Sequence, residues 1–315
     1  MSVINQTKYV IVDTYSPMRW YPLARKEFSD LSRSKGLRLF GLVLIISSYF
    51  SIGGPAYVAD ALGPNQIIAA FQTPVTLFAG FAAILVSYRS VIGECESGSI
   101  KFVSGMPQRR YEILTGKIVG RTAALCVPLL VTFVFVSLLG VIQHGIFSLS
   151  QFVLFSLLSI LYVFTIICVG TAISAVANTS LQAATASFGY YILFILGWID
   201  LLSYQVFSAI TGTPVNPLEP PASELLFSIH RATPIGAYNV LTNSVLDVGN
   251  SASWVTGVIA DQLPNITSNA LVVGLVFDGS QSAILATPLA LGILALWISV
   301  PLLVSGYVFQ RADLA

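Results

Sequence analysis

Residues 122–142 read TAALCVPLLVTFVFVSLLGVI, and the chain continues from there to Ile199 without a single Lys, Arg, Asp or Glu. Soluble domains carry about 25% charged residues; this chain of 315 residues carries 9%, with 55% hydrophobic. The bilayer is the solvent such a composition requires. A helix needs about 20 apolar residues to cross the hydrocarbon core, so the 122–199 run is too long for one or two crossings. Two polar breaks divide it, Gln143-His144-Gly145 with 148–151, and Asn178-Thr179-Ser180 with Gln182. They place spans three, four and five near 119–142, 152–175 and 184–206.

Outward from this stretch, 39–59 is charge-free and forms span one, fraying at Gly53-Gly54-Pro55. Residues 61–88 supply span two from about Ile67, with Pro74 placed to kink it, and 279–310 supply span six near 285–309. The fold class is an all-α membrane protein of six transmembrane helices, a 1–36 N-terminal part followed by a 37–315 transmembrane domain. Residues 1–20 hold no apolar core of signal-peptide length.

Basic residues set the orientation. Lys8, Arg19, Arg25, Lys26, Arg33, Lys35 and Arg38 precede span one. Arg89, Lys101, Arg109, Arg110, Lys117 and Arg121 lie between spans two and three, and Arg311 follows span six. Only Arg231 falls on the other side, so both termini and the 89–117 loop are expected to be cytoplasmic. The 207–283 segment is then external, with Glu219, Glu224, Asp247, Asp261 and Asp278 against Arg231. Its length calls for structure of its own. Short helices lying at the interface or capping the bundle are expected, and a full seventh crossing near 254–277 is opposed by Asp261, Pro264 and Asn265. Asn265-Ile266-Thr267 is a glycosylation sequon, a motif short enough to arise by chance.

Several chemistries are missing. No phosphate-cradling G-x-x-x-x-G-K-[ST] loop occurs: before Gly116-Lys117 the first glycine position is Tyr111, and Ile118 follows the lysine. The chain therefore carries no ATPase of its own. No G-x-S-x-G or H-E-x-x-H motif is present; His144 and His230 fall outside the spans, where they read as loop residues rather than metal ligands. Cys95, Cys126 and Cys168 match no metal-ligand spacing, and Cys126 and Cys168 read as small hydrophobes. No metal and no cofactor is expected on this chain. A net charge of +1 points to no nucleic acid. Arg121 and Asp200 sit near span ends, where they can snorkel. Carriers driven by ions or protons need buried ionisable groups in their spans, and these spans offer no seat for one. Energy for uphill transport would have to come from a partner.

Two features face the cytoplasm. Over 19–35, Trp20, Leu23, Ala24, Phe28 and Leu31 share a helical stripe with Arg25, Lys26, Ser29 and Arg33 opposite, the pattern of an interfacial helix. Glu27 falls inside the apolar stripe, where it needs a partner; it reads either as reaching the headgroups or as pairing with a base from the 89–117 loop. In that loop Gly98-Ser99 can stop one helix and start a short one. Ile100, Phe102 and Val103 give the short helix apolar knobs suited to a partner's groove, and Pro107 starts the next helix. An ordinary charged loop is the alternative reading.

The 89–121 segment resembles the signature loop of type-2 ATP-binding-cassette (ABC) exporter permeases. The resemblance rests on Glu94 and Glu96, Ser97-Gly98-Ser99-Ile100, Met106-Pro107, Arg109-Arg110 and Gly116-Lys117, with the Lys26-Glu27-Phe28 elbow before span one and the 233–238 patch before the last span. Lys101-Phe102-Val103 departs from the family's usual leucine pair. The subgroup looks similar to the permeases associated with nitrous-oxide-reductase maturation. The resemblance implies a multi-pass plasma-membrane exporter subunit, paired with a second copy or a homologue. A separate cytoplasmic ABC ATPase would hold the ATP and Mg. It implies that Glu94, Glu96, Gly98, Ile100, Phe102 and Pro107 transmit motion from that ATPase. Tyr190, Tyr191 and Trp198 on span five are candidates for an apolar cargo path, beside the plainer reading of packing or belt aromatics. The rival class is a stand-alone membrane carrier or assembly scaffold with no ATPase.

Overall fold

The computed structural model describes residues 20–97, 110–263, 269–277 and 283–311, and among them every regular element is helical. Helix α1 (Tyr21–Ser32) has Leu23, Ala24 and Glu27 buried, while Arg25 and Lys26 are exposed. The stripe read from the sequence therefore faces protein. Ser34 caps α2 (Lys35–Ile52), its hydroxyl accepting from the Leu37 amide. The expected 39–59 span stops at Ile52, because Gly53-Gly54 and Pro55 interrupt the backbone ladder.

α3 (Ala56–Glu96) is long but irregular. It starts earlier than the expected 67 and is interrupted at Gly63, whose φ of 53° suits glycine. Immediately after Pro74 the helix widens into a π segment, Val75–Ala79. A π turn leaves carbonyls offset from the α ladder. Two buried tyrosines fill the gap: Tyr162 Oη donates to the Thr76 carbonyl and Tyr191 Oη to the Leu77 carbonyl, each at 3.1 Å.

α4 (Arg110–His144) spans about 50 Å at 1.5 Å per residue, longer than the bilayer core. α5 (Leu149–Val176) is the central helix, with Phe155, Tyr162 and Ile166 fully enclosed. The expected single fifth span is two helices, α6 (Ser180–Leu196) and α7 (Trp198–Thr211), bent by 61° at Gly197. The last span is α12 (Leu289–Arg311), beginning four residues later than expected. Among the described residues, five helices are long and apolar enough to cross a membrane, six when α6 and α7 count as one broken span.

The segment between α7 and α12 differs most from expectation. It contains α8 (Glu224–His230), α9 (Pro234–Val245), α10 (Val255–Ala260) and α11 (Val273–Val276). α9 does not lie at the interface: its residues from Pro234 to Asn243 are all buried, packed between α5 and α12. Gln72 of α3 anchors it. Its Nε2 donates to Thr242 Oγ1 at 2.9 Å and Asn243 Oδ1 at 3.0 Å, and its Oε1 accepts from the Val255 amide at 2.7 Å. Asn243 continues the network by donating to the carbonyls of Ser251 and Ser253, both at 2.9 Å. Polar residues scattered over 180 positions thus satisfy one another where water is excluded. Asn265 and Asp278 lie outside the described residues.

Candidate functional site

The charged groups converge where α1, the end of α3 and the start of α4 meet. Close approach is possible because α4 presents Gly116 and Gly120 one turn apart to α1. A Cβ at Gly116 would stand 2.9 Å from the Trp20 carbonyl oxygen, and one at Gly120 would stand 2.8 Å from Glu27 Cβ. The missing side chains let α1 settle onto the α4 backbone, and Glu27 then reaches the residues beside those glycines.

There it meets two bases. Arg121 Nη2 is 2.7 Å and Nε 2.8 Å from Glu27 Oε2, and Lys117 Nζ is 3.3 Å from Glu27 Oε1. Lys117 is wholly enclosed and also stands 2.6 Å from Glu94 Oε1, on the last turn of α3. Arg121 Nη1 donates to the Val86 carbonyl of α3. Two carboxylates and two cations balance in charge, the condition under which ions tolerate burial. Burial alone raises the Glu27 carboxyl pKa; the Arg121 and Lys117 charges and their hydrogen bonds outweigh it, and the group sits below its ordinary value. Of the two readings of Glu27, pairing with a base of the 89–117 loop holds. Arg121, expected to snorkel, turns inward instead.

Glu96, two residues on, takes a different helix. Its Oε1 accepts from the Ser180 backbone N–H at 2.6 Å and its Oε2 from the Ser180 hydroxyl, at the first residue of α6. A carboxylate there meets unpaired amides and the positive end of the helix dipole. Arg89 lies 3.7 Å from the same carboxylate. A third tie joins α3 to α5: Ser174 Oγ accepts from the amides of Val91 and Ile92, at 3.0 and 3.3 Å, where the α3 backbone is broken. The root of the 89–117 loop is therefore held by α4 and α1 through Glu94, by α6 through Glu96, and by α5 through Ser174. Glu94 Oε2 is buried without a hydrogen-bond partner among the described residues.

Of the elbow residues, Glu27 is in this cluster, Lys26 is exposed, and Phe28 packs on the core. Gly98, Ile100, Phe102 and Pro107 lie outside the described residues. Tyr190 and Trp198 share one aromatic ladder near the α6–α7 bend, whereas Tyr191 faces α3, against Phe81 and the Leu77 carbonyl. Tyr190 stacks on Phe194 with centroids 5.2 Å apart, Phe194 stacks on Trp198 at 5.4 Å, and Trp297 of α12 closes the ladder from the side. Trp198 Nε1 donates to the Ile229 carbonyl at 3.0 Å. Lys117 and Ser180 were not read as site residues in the sequence; the Gly116-x-x-x-Gly120 spacing was the available signal for the first. His230, read as a loop residue, closes α8 and is buried, its ring Nε2 lying 2.9 Å from the Ile199 carbonyl. No group of three or more potential metal ligands occurs among the described residues.

A bundle of apolar helices of spanning length, carrying a charged junction at one end, defines a multi-pass membrane protein. A family model described as ABC-2 family transporter protein matches residues 21–314. The chain belongs to that family and is a membrane-spanning permease subunit of an ABC transporter. It is similar to the protein named Probable ABC transporter permease protein NosY of Stutzerimonas stutzeri, 26% identical over 246 residues, covering 76% of this chain and 86% of the relative. It is also similar to the protein of the same name from Pseudomonas aeruginosa, 25% identical over 189 residues, 57% of this chain and 68% of the relative.

Proposed function

We propose that this chain is the permease of an ABC exporter in the plasma membrane, working as a pair of copies or with a homologue. In this reading a separate cytoplasmic ATPase chain binds the ATP and Mg. The observation that carries the proposal is the division of labour between Glu94 and Glu96. One loop root holds Lys117 of α4, which itself holds Glu27 of α1, by one carboxylate and α6 by the other, so displacement of the loop bears on three helices. A partner shifts a conformational equilibrium only through contacts that differ between its states. Exposed hydrogen bonds such as Glu96 to Ser180 can be exchanged at small cost, whereas the buried Glu27–Lys117–Glu94 chain moves as a unit. Phe102 and Ile100 are assigned to the ATPase groove, with Gly98 and Pro107 bounding that short segment. Tyr190, Tyr191 and Trp198 are assigned to the cargo path, with the α6–α7 bend as its moving part.

The test is purification of the tagged chain in mild detergent, followed by an ATPase assay and identification of co-purifying chains. A stoichiometric phosphate-loop ATPase, lost in Phe102→Asp, is the expected result. A folded chain that brings no ATPase would move the assignment to a stand-alone carrier or scaffold.

A further inference from the structure

At the end of the bundle away from α1, a cavity of about 200 Å³ opens between the end of α2, the first part of α3 and α10. Its walls include Ile52, Val58 and Val255, and its polar groups come from Ser51, Gln66, Thr73 and Thr256. No charged residue lines it among the described residues. Gln66 is the unusual member. It is 8% exposed, yet its amide makes no side-chain hydrogen bond to any described residue, while the neighbouring Gln72 uses both ends of its amide. The amide is not sealed within the packing but reaches the cavity space. In this position it offers two donors and an acceptor to whatever enters the cavity.

Depth in the membrane narrows the occupant. α2 has 18 residues, about 27 Å at 1.5 Å per residue, close to the ~30 Å thickness of the hydrocarbon core. On the interfacial reading of α1, a helix of that length brings Ser51 and Ile52 to the opposite interface, where lipid ester groups and glycerol lie. A cavity of about 150 Å³ holds a benzene-sized group, so this one holds the glycerol-ester end of a lipid while an acyl chain leaves past the apolar walls. A phosphate or ammonium would be desolvated here without a counter-charge. We infer that the cavity is a binding site for a neutral glyceride, with the Gln66 amide donating to the ester carbonyl and accepting from a glycerol hydroxyl. The Thr73 and Thr256 hydroxyls lie at the same site.

Equilibrium dialysis of 1-octanoylglycerol against the full chain in amine-oxide micelles, with empty micelles subtracted, tests this. Expected are saturable binding of one molecule per chain, at least tenfold weaker binding to Gln66→Leu and to Thr73→Phe, and at least tenfold weaker binding of 1-octanoylglycerol 3-phosphate. Thr73 is exposed, so Thr73→Phe narrows the cavity without disturbing the core and reads the site even where Gln66→Leu fails to fold. Absence of saturable binding by the unaltered chain, unchanged binding by a folded Thr73→Phe, or equal binding of the phosphate form would overturn the assignment.

Discussion

The Lys117 ammonium, wholly enclosed by protein, stands 2.6 Å from Glu94 and 3.3 Å from Glu27, joining the end of α3 to α1 through the first turns of α4. The outermost of the three side chains lie 90 residues apart in sequence, and the ammonium has no water available as a substitute partner. Lys117→Met leaves two carboxylates facing one remaining cation. Removing one partner of a buried pair costs about 3–5 kcal/mol. Denaturant unfolding in detergent is expected to register a loss of that order, with Glu94→Gln combined with Lys117→Met recovering part of it, since Glu27 keeps Arg121. An additive double variant would contradict the coupling.

Gly120→Val is expected to lift α1 from α4, because the new side chain would occupy the space of the Ala24 backbone and Glu27 Cβ. A cysteine pair placed at Leu23 and Ile113, which pack on each other across the two helices, reports the contact. Cross-linking should be efficient in the parent and largely lost when Val occupies position 120, whereas Gly189→Val, at a position with open space around it, should leave it unchanged.

Glu96→Gln separates coupling from stability. The carboxylate is exposed, so its loss is expected to leave the unfolding midpoint unchanged. It removes the charge that holds the Ser180 amide and hydroxyl. If loop motion reaches α6 by this route, transport per ATP hydrolysed falls severalfold in reconstituted vesicles; an unaltered ratio would remove Glu96 from the path.

Gln72→Leu tests the anchoring of α9. It removes the donor to Thr242 Oγ1 and Asn243 Oδ1 and the acceptor of the Val255 amide together, and an unsatisfied buried group costs about 1–3 kcal/mol. Amide hydrogen exchange over 234–245 should accelerate in the variant while α5 retains its protection. Equal protection of α9 in both proteins would show that packing alone holds it.

His230 makes stability depend on pH. Burial, reinforced by the neighbouring Arg231 and only partly offset by the hydrogen bond to the Ile199 carbonyl, lowers its pKa from 6.5 to about 4. Between those values the unfolded chain binds the proton and the folded chain does not, so stability present above pH 6.5 is lost as pH falls toward 4. Moving from pH 7 to pH 5 should remove about 2 kcal/mol. His230→Gln, which keeps a donor for the Ile199 carbonyl, should flatten that slope in thermal unfolding measured across the window.

Much of the architecture was legible in the chain itself. The charge-free run 122–199 and its polar breaks located α4, α5 and α6 to within a few residues at most ends, because exclusion of charge from hydrocarbon is a local rule. The apolar stripe of α1 read as an interfacial helix, and Glu27 within it read either as reaching the headgroups or as pairing with a base of the 89–117 loop; only the packing chose the pairing. The bend at Gly197 was less accessible, since a glycine among apolar residues reads equally as part of a straight span. The burial of α9 was inaccessible: Pro234–Val245 is short and rich in Asn and Thr, as an interfacial helix would be.

Composition and charge placement alone determined the solvent of this protein, the approximate number of its crossings and the loop that carries its charge, since each follows from the cost of moving single residues out of water. Tertiary structure alone decided that Lys117 serves Glu94 and Glu27 together, that Glu96 holds Ser180, and that Gln72 pins α9. Each of these contacts joins distant segments of the chain, and its value depends on a desolvated space that exists only once the helices have packed.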